Sequence, residues 1–222
     1  MEQIDFIQQM HGSTRRDYLQ RVIEHDKAES ATIAQQFGFD YWDGERRFGY
    51  GGHRYDGRWR PIAEKLAAHY GLKAGDRLLD VGCGKGYLLY EFTQAVPGIE
   101  IVGLDISSYA IEHAKPEVRP FIRQGDAAQP FPFADASFDF TLSLTTLHNL
   151  EIGGLFNAFG EIARITKGDR GYVMVESFRN EREKANLLYW QLTCRSFHSP
   201  ESWAWIADQA GYRGDYGFIY FE

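Results

Sequence analysis

The chain has little cysteine, and the residues it has stand alone. Cys83 and Cys194 are the two cysteines among 222 residues, and neither belongs to a CxxC pair. Two single cysteines build neither a disulfide framework nor a zinc site, so we expect a protein of a reducing compartment. A chain of this length buries enough apolar surface to fold without such links.

Long apolar runs and a surplus of basic residues are also missing. No window approaches the roughly 20 apolar residues that a membrane-spanning helix requires. The first residues, MEQIDFIQQM, lack the charged start and apolar core of a signal peptide. Lysine and arginine number 24 against 31 acidic residues, and this net charge of −7 argues against binding along a nucleic-acid backbone. We therefore expect a cytoplasmic protein without membrane or nucleic-acid partners.

Aromatic residues are abundant instead, at 15 % of the chain. They are concentrated in Tyr41–Trp59, whose 19 residues hold five glycines, six aromatic residues and four arginines but no aliphatic residue. The apolar residues of this segment follow neither the spacing of a helix nor that of a strand, which predicts a loop. Residues 1–40 carry apolar stripes with helical spacing, one of them formed by Tyr18, Leu19, Val22 and Ile23. We therefore divide the chain into an N-terminal helical and aromatic-loop lid at 1–59 and a main domain at 60–222.

Short apolar strands alternate with helices after Arg60. The predicted strands are Arg77–Val81, Glu100–Leu104, Pro120–Gln124, Phe138–Leu144 and Tyr172–Glu176. Strands and helices alternating at this spacing indicate crossover connections, and therefore a doubly wound, Rossmann-like α/β fold with a mostly parallel sheet. Apolar residues run continuously along the strands rather than alternating with polar ones, as expected where helices cover both faces of the sheet.

A glycine-rich turn follows the first predicted strand, in the segment LDVGCGKGYL. Its glycines, Gly82, Gly84 and Gly86, stand between a strand and a helix. In a doubly wound sheet this turn lies at the carboxyl edge, where the backbone approaches a ligand closely and a side chain would obstruct it. A dinucleotide fingerprint requires glycine or alanine three residues after Gly84, where this chain has Tyr87. A nicotinamide cofactor is therefore disfavoured.

The pattern DxGxGxG, from Asp80 to Gly86, resembles the class I S-adenosylmethionine (SAM)-dependent methyltransferases. In that family this turn wraps the methionine part of the cofactor. The resemblance extends from about Arg58 to Glu176 and implies an enzyme with SAM as its cofactor, bound by the domain at 60–222. It also implies that the sheet ends in an antiparallel C-terminal edge.

The resemblance implies a set of cofactor ligands as well. Asp105, which closes the second predicted strand, would accept hydrogen bonds from the ribose diol. Asp126 and the backbone of Ala127 would lie near the adenine, and Asp80 near the methionine ammonium. The other implied contacts are Gly82, Cys83, Gly84, Gly86, Ile106, Ser143 and Leu144.

Acceptor selectivity in this family usually comes from elements outside the sheet, here residues 1–59 and the segment after Glu176. Arginine binds carboxylates or phosphates through a planar fork, and aromatic rings supply flat walls or cation–π faces. We expect the loop Tyr41–Trp59 to close over the cofactor, with Arg58 near the cofactor's carboxylate. It would contact a small anionic or polar acceptor. The alternative is that its rings pack as the lid's own small core.

Methyl transfer needs an acceptor atom held in line with the methyl group, and oxygen and amine acceptors often need a base. His148, just after the fourth predicted strand, is the first candidate, followed by Glu176 and then Tyr50. The alternative for His148 is a loop histidine that hydrogen-bonds to backbone. No cluster has the spacing of a metal site, so we expect no metal. The histidines that cannot be ranked are His11, His53 and His198.

The pattern departs from the family after Glu176. We predict helices at Glu181–Trp190 and from Ser199 to Gly211, which leaves Tyr216–Phe221 as the final strand. Either Leu192–Phe197 is its antiparallel partner or one strand is missing. An apolar edge left open would promote aggregation, so we expect the final strand to be paired, covered or buried in a homodimer.

The sequence thus predicts a SAM-dependent methyltransferase that acts on a small soluble acceptor, such as a sugar, a nucleotide sugar or an amine-bearing metabolite. Two alternatives stay open. An RNA or protein methyltransferase is opposed by the net charge and by the lack of an NPPY-type segment that would present a planar amino group. A SAM-binding sensor or assembly protein would bind the cofactor without catalysis.

Overall fold

The computed structural model describes residues 1–7 and 16–222. In this part of the chain six strands form one sheet, each parallel to its neighbours, in the spatial order β3-β2-β1-β4-β5-β6. The strands are β1 Arg77–Val81, β2 Glu100–Asp105, β3 Ile122–Gln124, β4 Phe140–Leu144, β5 Gly171–Glu176 and β6 Asp215–Ile219. The predicted Rossmann-like, mostly parallel sheet is confirmed.

Helices connect the strands and precede the sheet. They are α1 Tyr18–Glu24, α2 Lys27–Ala34, α3 Phe39–Trp42, α4 Arg60–Tyr70, α5 Tyr87–Ala95, α6 Ser108–Glu112, α7 Ile152–Ile165, α8 Glu181–Trp190 and α9 Pro200–Gln209. Short 3₁₀ turns occur at Arg119–Phe121 and Leu147–Asn149. Among the described helices, none combines the length and the apolar character needed to cross a bilayer.

Two apolar clusters pack against the sheet, one on each face. Successive side chains of a strand point to opposite faces, and Leu78 of β1 accordingly belongs to one cluster and Leu79 to the other. The first cluster includes Leu66 of α4 and residues of α5 and α8. The second includes Ile162 of α7 and Trp203 of α9. The sheet is therefore covered on both faces, which explains why the apolar residues of its central strands run on without regular alternation with polar ones.

The predicted antiparallel C-terminal edge is wrong, because β6 pairs parallel to β5. Two helices, α8 and α9, lie between these strands, so the connection is a crossover and not a hairpin. The segment Leu192–Phe197 forms no strand; the backbone N–H groups of Arg195 and Ser196 instead donate to the carbonyl of His148, at 2.9 and 3.0 Å. Of the two possibilities for this edge, the one in which a strand is missing is the one observed.

The start of the chain covers the outer edge of β6. Ile4 N–H donates to the Tyr216 carbonyl at 2.8 Å, and Tyr216 N–H donates to the Glu2 carbonyl at 3.0 Å. The buried Tyr172 hydroxyl donates to the Ile4 carbonyl at 2.8 Å. A Cβ atom at Gly217 would collide with that hydroxyl, so glycine permits the close approach. The expected cover is thus provided by the chain itself, while a homodimer and the division at residues 59 and 60 stay predictions.

Candidate active site

The glycine turn between β1 and α5 is closely packed from two sides. Gly82 and Gly84 have φ angles of 83° and 54°, in the left-handed region that favours glycine. A Cβ atom at Gly82 would collide with the side chain of Thr146, and one at Gly84 would lie 2.7 Å from the ring of Trp42. Both glycines are therefore required by the backbone angle and by space.

Asp105, the last residue of β2, lies beside this turn. Its Oδ2 accepts a hydrogen bond from Gly84 N–H at 2.6 Å, and its Oδ1 accepts one from Ser107 N–H at 2.8 Å. Burial raises the pKa of Asp105, and these two backbone hydrogen bonds oppose the rise. A carboxylate has room for about four hydrogen bonds, so the fixed group can still accept two from a ligand.

A cavity of about 500 Å³ opens at this carboxyl edge of the sheet, and we call it the edge cavity. Four rings of the lid, Phe37, Tyr41, Trp42 and Tyr50, lie on its wall. The predicted cofactor contacts that line it are Gly82, Asp105, Ile106, Asp126 and Ala127. The cavity thus brings together residues from the ends of β1, β2 and β3.

Other predicted cofactor contacts lie behind the turn or elsewhere. Asp80 is buried, and burial together with the nearby charge of Asp105 raises its pKa to about 8. The Ser143 hydroxyl donates to the Val81 carbonyl at 2.8 Å and so ties β4 to β1. Arg58 is ion-paired with Asp56 on the lid. The predicted contacts that do not line the edge cavity are Arg58, Asp80, Cys83, Gly84, Gly86, Ser143 and Leu144.

The residues after β4 line the edge cavity where Ser143 and Leu144 do not. They are Thr145, Thr146, Asn149 and Leu150. Thr145 has a φ of 55°, which is costly for a β-branched residue, and its N–H donates to the Met174 carbonyl at 2.9 Å. The cavity-lining residues thus belong to the predicted segment Asp139–Leu150 but follow Ser143 and Leu144, whose contact with a cofactor stays a prediction.

An ion pair ties the lid to the glycine turn. Lys85 stands between Gly84 and Gly86 and is 4 % exposed. Its ammonium donates to both carboxylate oxygens of Asp43 at 2.7 Å and to the His53 carbonyl at 2.9 Å. The Tyr109 hydroxyl also donates to Asp43, at 2.8 Å. The lid residue Asp43 is therefore held from both the glycine turn and α6.

The rings of the lid pack on one another as well as on the cavities. Trp42 stacks on Tyr50 with ring centroids 5.2 Å apart, and its indole N–H donates to the Ser107 hydroxyl at 3.0 Å. His53 stacks on Tyr87 of α5 at 5.0 Å. The two expectations for this loop are thus compatible, because rings that pack together also form cavity walls.

A second cavity, of about 440 Å³, adjoins the first, and we call it the arginine cavity. Tyr41, Tyr50 and Thr145 line both cavities, so these residues form a shared wall. Two of the predicted catalytic residues, His148 and Glu176, line the arginine cavity, and Tyr50 lies on the shared wall. The arginines that line it are Arg16, Arg21, Arg46, Arg54 and Arg58.

His148 and Glu176 form a buried pair, at 2 % and 5 % exposure. His148 Nδ1 accepts a hydrogen bond from Glu176 N–H at 3.3 Å, and its Nε2 lies 3.6 Å from Glu176 Oε2. Burial lowers the pKa of His148 to about 3 and raises that of Glu176 to about 8, so both are neutral at pH 7. Gln191 donates to Glu176 Oε1, while Oε2 has no hydrogen-bond partner among residues 1–7 and 16–222.

Among the remaining candidates, Cys83 and His198 line neither cavity, whereas His53 lines the arginine cavity. Burial raises the pKa of the Cys83 thiol, which disfavours a nucleophilic role. His198 packs edge-on against Trp203, with ring centroids 5.1 Å apart, and His11 lies outside the described residues. Within the described ranges, no group of three or more His, Cys, Asp or Glu side chains is arranged to hold a metal ion.

Comparison with known proteins gives consistent matches. A family model described as a methyltransferase domain matches residues 51–215. The 27-O-demethylrifamycin SV methyltransferase of Amycolatopsis mediterranei is 35% identical over 96 residues, 40% of this chain and 35% of that protein. The demethylmenaquinone methyltransferase of a Roseiflexus species is 34% identical over 115 residues, 50% of this chain and 46% of that protein. The chain thus spans less than half the length of these curated relatives.

A similar fold occurs among solved structures. The geranyl diphosphate C-methyltransferase from Streptomyces coelicolor A3(2), in complex with Mg²⁺, geranyl diphosphate and S-adenosyl-L-homocysteine, has a TM-score of 0.55 to this chain. The sequence identity is 16%, and the match covers 67% of this chain and 59% of that one. At this identity the likeness supports the fold alone.

The Lys85–Asp43 pair should determine how firmly the lid is held. Lys85→Met leaves the Asp43 carboxylate without its cation, and we expect it to lower the free energy of unfolding by about 2–3 kcal/mol. Asp43→Asn, which keeps hydrogen-bonding capacity, should cost less. Urea unfolding measures the loss, and the rate of tryptic cleavage after Arg46 and Arg47 reports on the lid.

The matched control for this pair is Arg58→Met, which removes an exposed ion pair of the same loop. It should cost less than about 1 kcal/mol. If Lys85→Met were as stable as the parent and as resistant to trypsin, the lid would not depend on this contact.

Glu176 should make stability depend on pH. Its ordinary pKa is 4.5, and burial raises the folded-state value to about 8. Between these values the folded chain keeps a proton that the unfolded chain has released, so the free energy of unfolding falls as pH rises, by at most about 1.4 kcal/mol per pH unit. Glu176→Gln removes this dependence, and its stability relative to the parent should therefore increase from pH 5 to pH 8.

Urea unfolding of both proteins at several pH values measures this difference. The exposed Glu181→Gln substitution is the control, and its difference from the parent should stay constant. A constant difference for Glu176→Gln as well would mean that Glu176 is ionised in the folded protein at pH 5.

Proposed function

We propose that this chain, which belongs to the methyltransferase-domain family, transfers the methyl group of SAM to a small soluble acceptor. The observation that carries the proposal is the pair of adjoining cavities with a shared wall of Tyr41, Tyr50 and Thr145. Methyl transfer needs two bound molecules whose reacting atoms meet in line, and adjoining cavities suit this requirement.

The edge cavity would hold the cofactor. Asp105 is fixed by two backbone hydrogen bonds and retains acceptor capacity for the ribose diol. Asp126, whose Oδ1 accepts from Ala128 N–H at 2.8 Å, would lie near the adenine amino group, with Ile106 beside the ring. Gly82, which lines the edge cavity, would lie beside the methionine part at the turn. When bound, SAM supplies an electrophilic methyl group on a sulfonium.

The arginine cavity would hold the acceptor, with the His148–Glu176 pair serving as its base. The acceptor atom would form a bond to the methyl carbon as the carbon–sulfur bond breaks, and the acceptor's proton would pass to the pair. His148 Nδ1 already accepts from Glu176 N–H, which assigns the imidazole proton to Nε2. Glu176, with an oxygen that has no partner among the described residues, is therefore the stronger candidate, and it would accept the proton in its ionised form, whose population grows as the pH approaches its folded-state pKa of about 8.

The acceptor would be a small metabolite such as a sugar, a nucleotide sugar or an amine-bearing compound. A cavity of about 440 Å³ falls in the range typical of small-molecule sites. The lid, tied to the turn by Lys85, lies on the wall of both cavities and would keep water from the sulfonium.

Cofactor binding gives the first test. Calorimetry with S-adenosylhomocysteine should show micromolar affinity, and NAD should not bind. Asp105→Asn should weaken binding at least about tenfold, because a carboxylate that accepts from the ribose becomes an amide. The control is Asp76→Asn, a buried aspartate that precedes β1 and lies at the opposite edge of the sheet. Equal affinity in the Asp105→Asn and parent proteins would mean that the cofactor binds elsewhere.

Methyl transfer gives the second test. SAM labelled in its methyl group is incubated with the protein and with the separated small-molecule, RNA and protein fractions of a cell extract. We expect label in the small-molecule fraction, at least about tenfold less with Glu176→Gln or His148→Gln, since general bases typically contribute that much or more. Label in RNA or protein alone would support those alternatives, and binding without transfer to any fraction would favour a sensor.

A further inference from the structure

Three arginines surround one aromatic ring in the arginine cavity. The guanidinium carbons of Arg16, Arg21 and Arg46 lie 5.4, 4.5 and 5.4 Å from the centre of the Trp190 ring. Arg16 precedes α1, Arg21 lies within it, Arg46 belongs to the lid loop and Trp190 ends α8. The fold thus gathers these cations from distant parts of the chain.

Arg21 and Arg46 are not neutralised by carboxylates. In the described part of the chain, neither takes part in a salt bridge, whereas the neighbouring Arg47 is paired with Glu45 at 3.1 Å. Arg21 donates to the backbone carbonyls of Arg46 and Arg47 at 3.5 and 3.4 Å, and its Nε has no partner among the described residues.

The arginine cavity itself supplies no negative charge either. Of its described lining residues, Glu176 alone carries a carboxyl group, and burial keeps that group protonated near neutral pH. Burial and the nearby charge of Arg46 lower the pKa of Arg21 to about 10, so Arg21 stays charged near neutral pH while close to another cation.

The Trp190 ring explains how Arg21 and Arg46 are held without an acid. The face of an indole ring attracts a guanidinium but neither cancels its charge nor uses its N–H donors. A carboxylate would do both. Arg46 donates to the Gly49 carbonyl and Arg21 to backbone carbonyls, and such neutral acceptors do not cancel the charge of a guanidinium. Trp190 therefore keeps Arg21 and Arg46 close together and leaves their charge available to a further group that enters the cavity.

We propose that Arg21 and Arg46, held by Trp190, bind a phosphate or diphosphate group that is part of the methyl acceptor. A guanidinium fork matches two oxygens of a phosphate. A group with two or more negative charges also balances the charge of several cations better than one carboxylate does. This inference rests on the proposed function, since it names the class of acceptor. The rest of the acceptor would extend toward Thr145 and the His148–Glu176 pair, which line the same cavity.

Inorganic pyrophosphate is the probe for this subsite, titrated in a calorimeter into the protein saturated with S-adenosylhomocysteine. We expect binding, and an affinity loss of about tenfold or more in Arg21→Gln and in Arg46→Gln, since each loses a charged hydrogen bond. The control is Arg47→Gln, in the same loop but already paired with Glu45, which should change affinity less than about twofold. S-adenosylhomocysteine should bind all four proteins equally, which also shows that the variants fold.

The outcomes separate this inference from the function on which it rests. Cofactor binding without pyrophosphate binding overturns the phosphate subsite and leaves the methyltransferase proposal intact. Malonate binding as tightly as pyrophosphate, or an equal loss in Arg47→Gln, also overturns it. The labelled product of the transfer assay distinguishes a phosphorylated acceptor from a free phosphate ligand. A labelled product that an anion exchanger retains, and no longer retains after phosphatase treatment, supports the inference. An uncharged product overturns it.

Discussion

The burial of the Lys85 ammonium is the constraint on which both cavities depend. A lysine at 4 % exposure must have partners, and its carboxylate partner, Asp43, belongs to the lid. The Lys85 side chain of the glycine turn is therefore buried and paired only when the lid lies on the turn. Once the lid is there, Tyr41 and Tyr50 form the wall between the cavities, and Trp42 closes over Gly84.

Local patterns made much of the fold predictable. The strands β1, β2, β4 and β5 are short apolar runs bounded by turn residues, and their alternation with helices decides that they are parallel. The two helices predicted before β6 form a crossover as well, so the same rule makes β6 parallel. The cover over the edge of β6 could not be predicted from local patterns, because Ile4 and Tyr216 are far apart in sequence and come into contact only in the folded chain. The resemblance to a family supplied a plausible antiparallel edge that this chain does not have.

Some residues of the candidate site could likewise be predicted from the sequence, and others could not. Gly82, Asp105 and Asp126 follow the ends of strands, and parallel strands present those ends at one edge, so their common location follows from the sequence. Ser143 and Leu144 end β4 without lining the edge cavity, whereas the left-handed Thr145 that follows them does line it. The sequence does not identify Arg16 and Arg21 as cavity residues, because they lie beside Trp190, a residue remote in sequence, only in the folded chain.

Thr145 combines a costly backbone conformation with a position between the two cavities. A β-branched residue at a φ of 55° costs about 1–3 kcal/mol, and glycine would remove that cost. The threonine hydroxyl donates to the Leu144 carbonyl at 2.7 Å, and its side chain stands where the two cavities meet. Thr145→Gly would therefore relieve the backbone at this position and at the same time remove a side chain that stands between the two cavities.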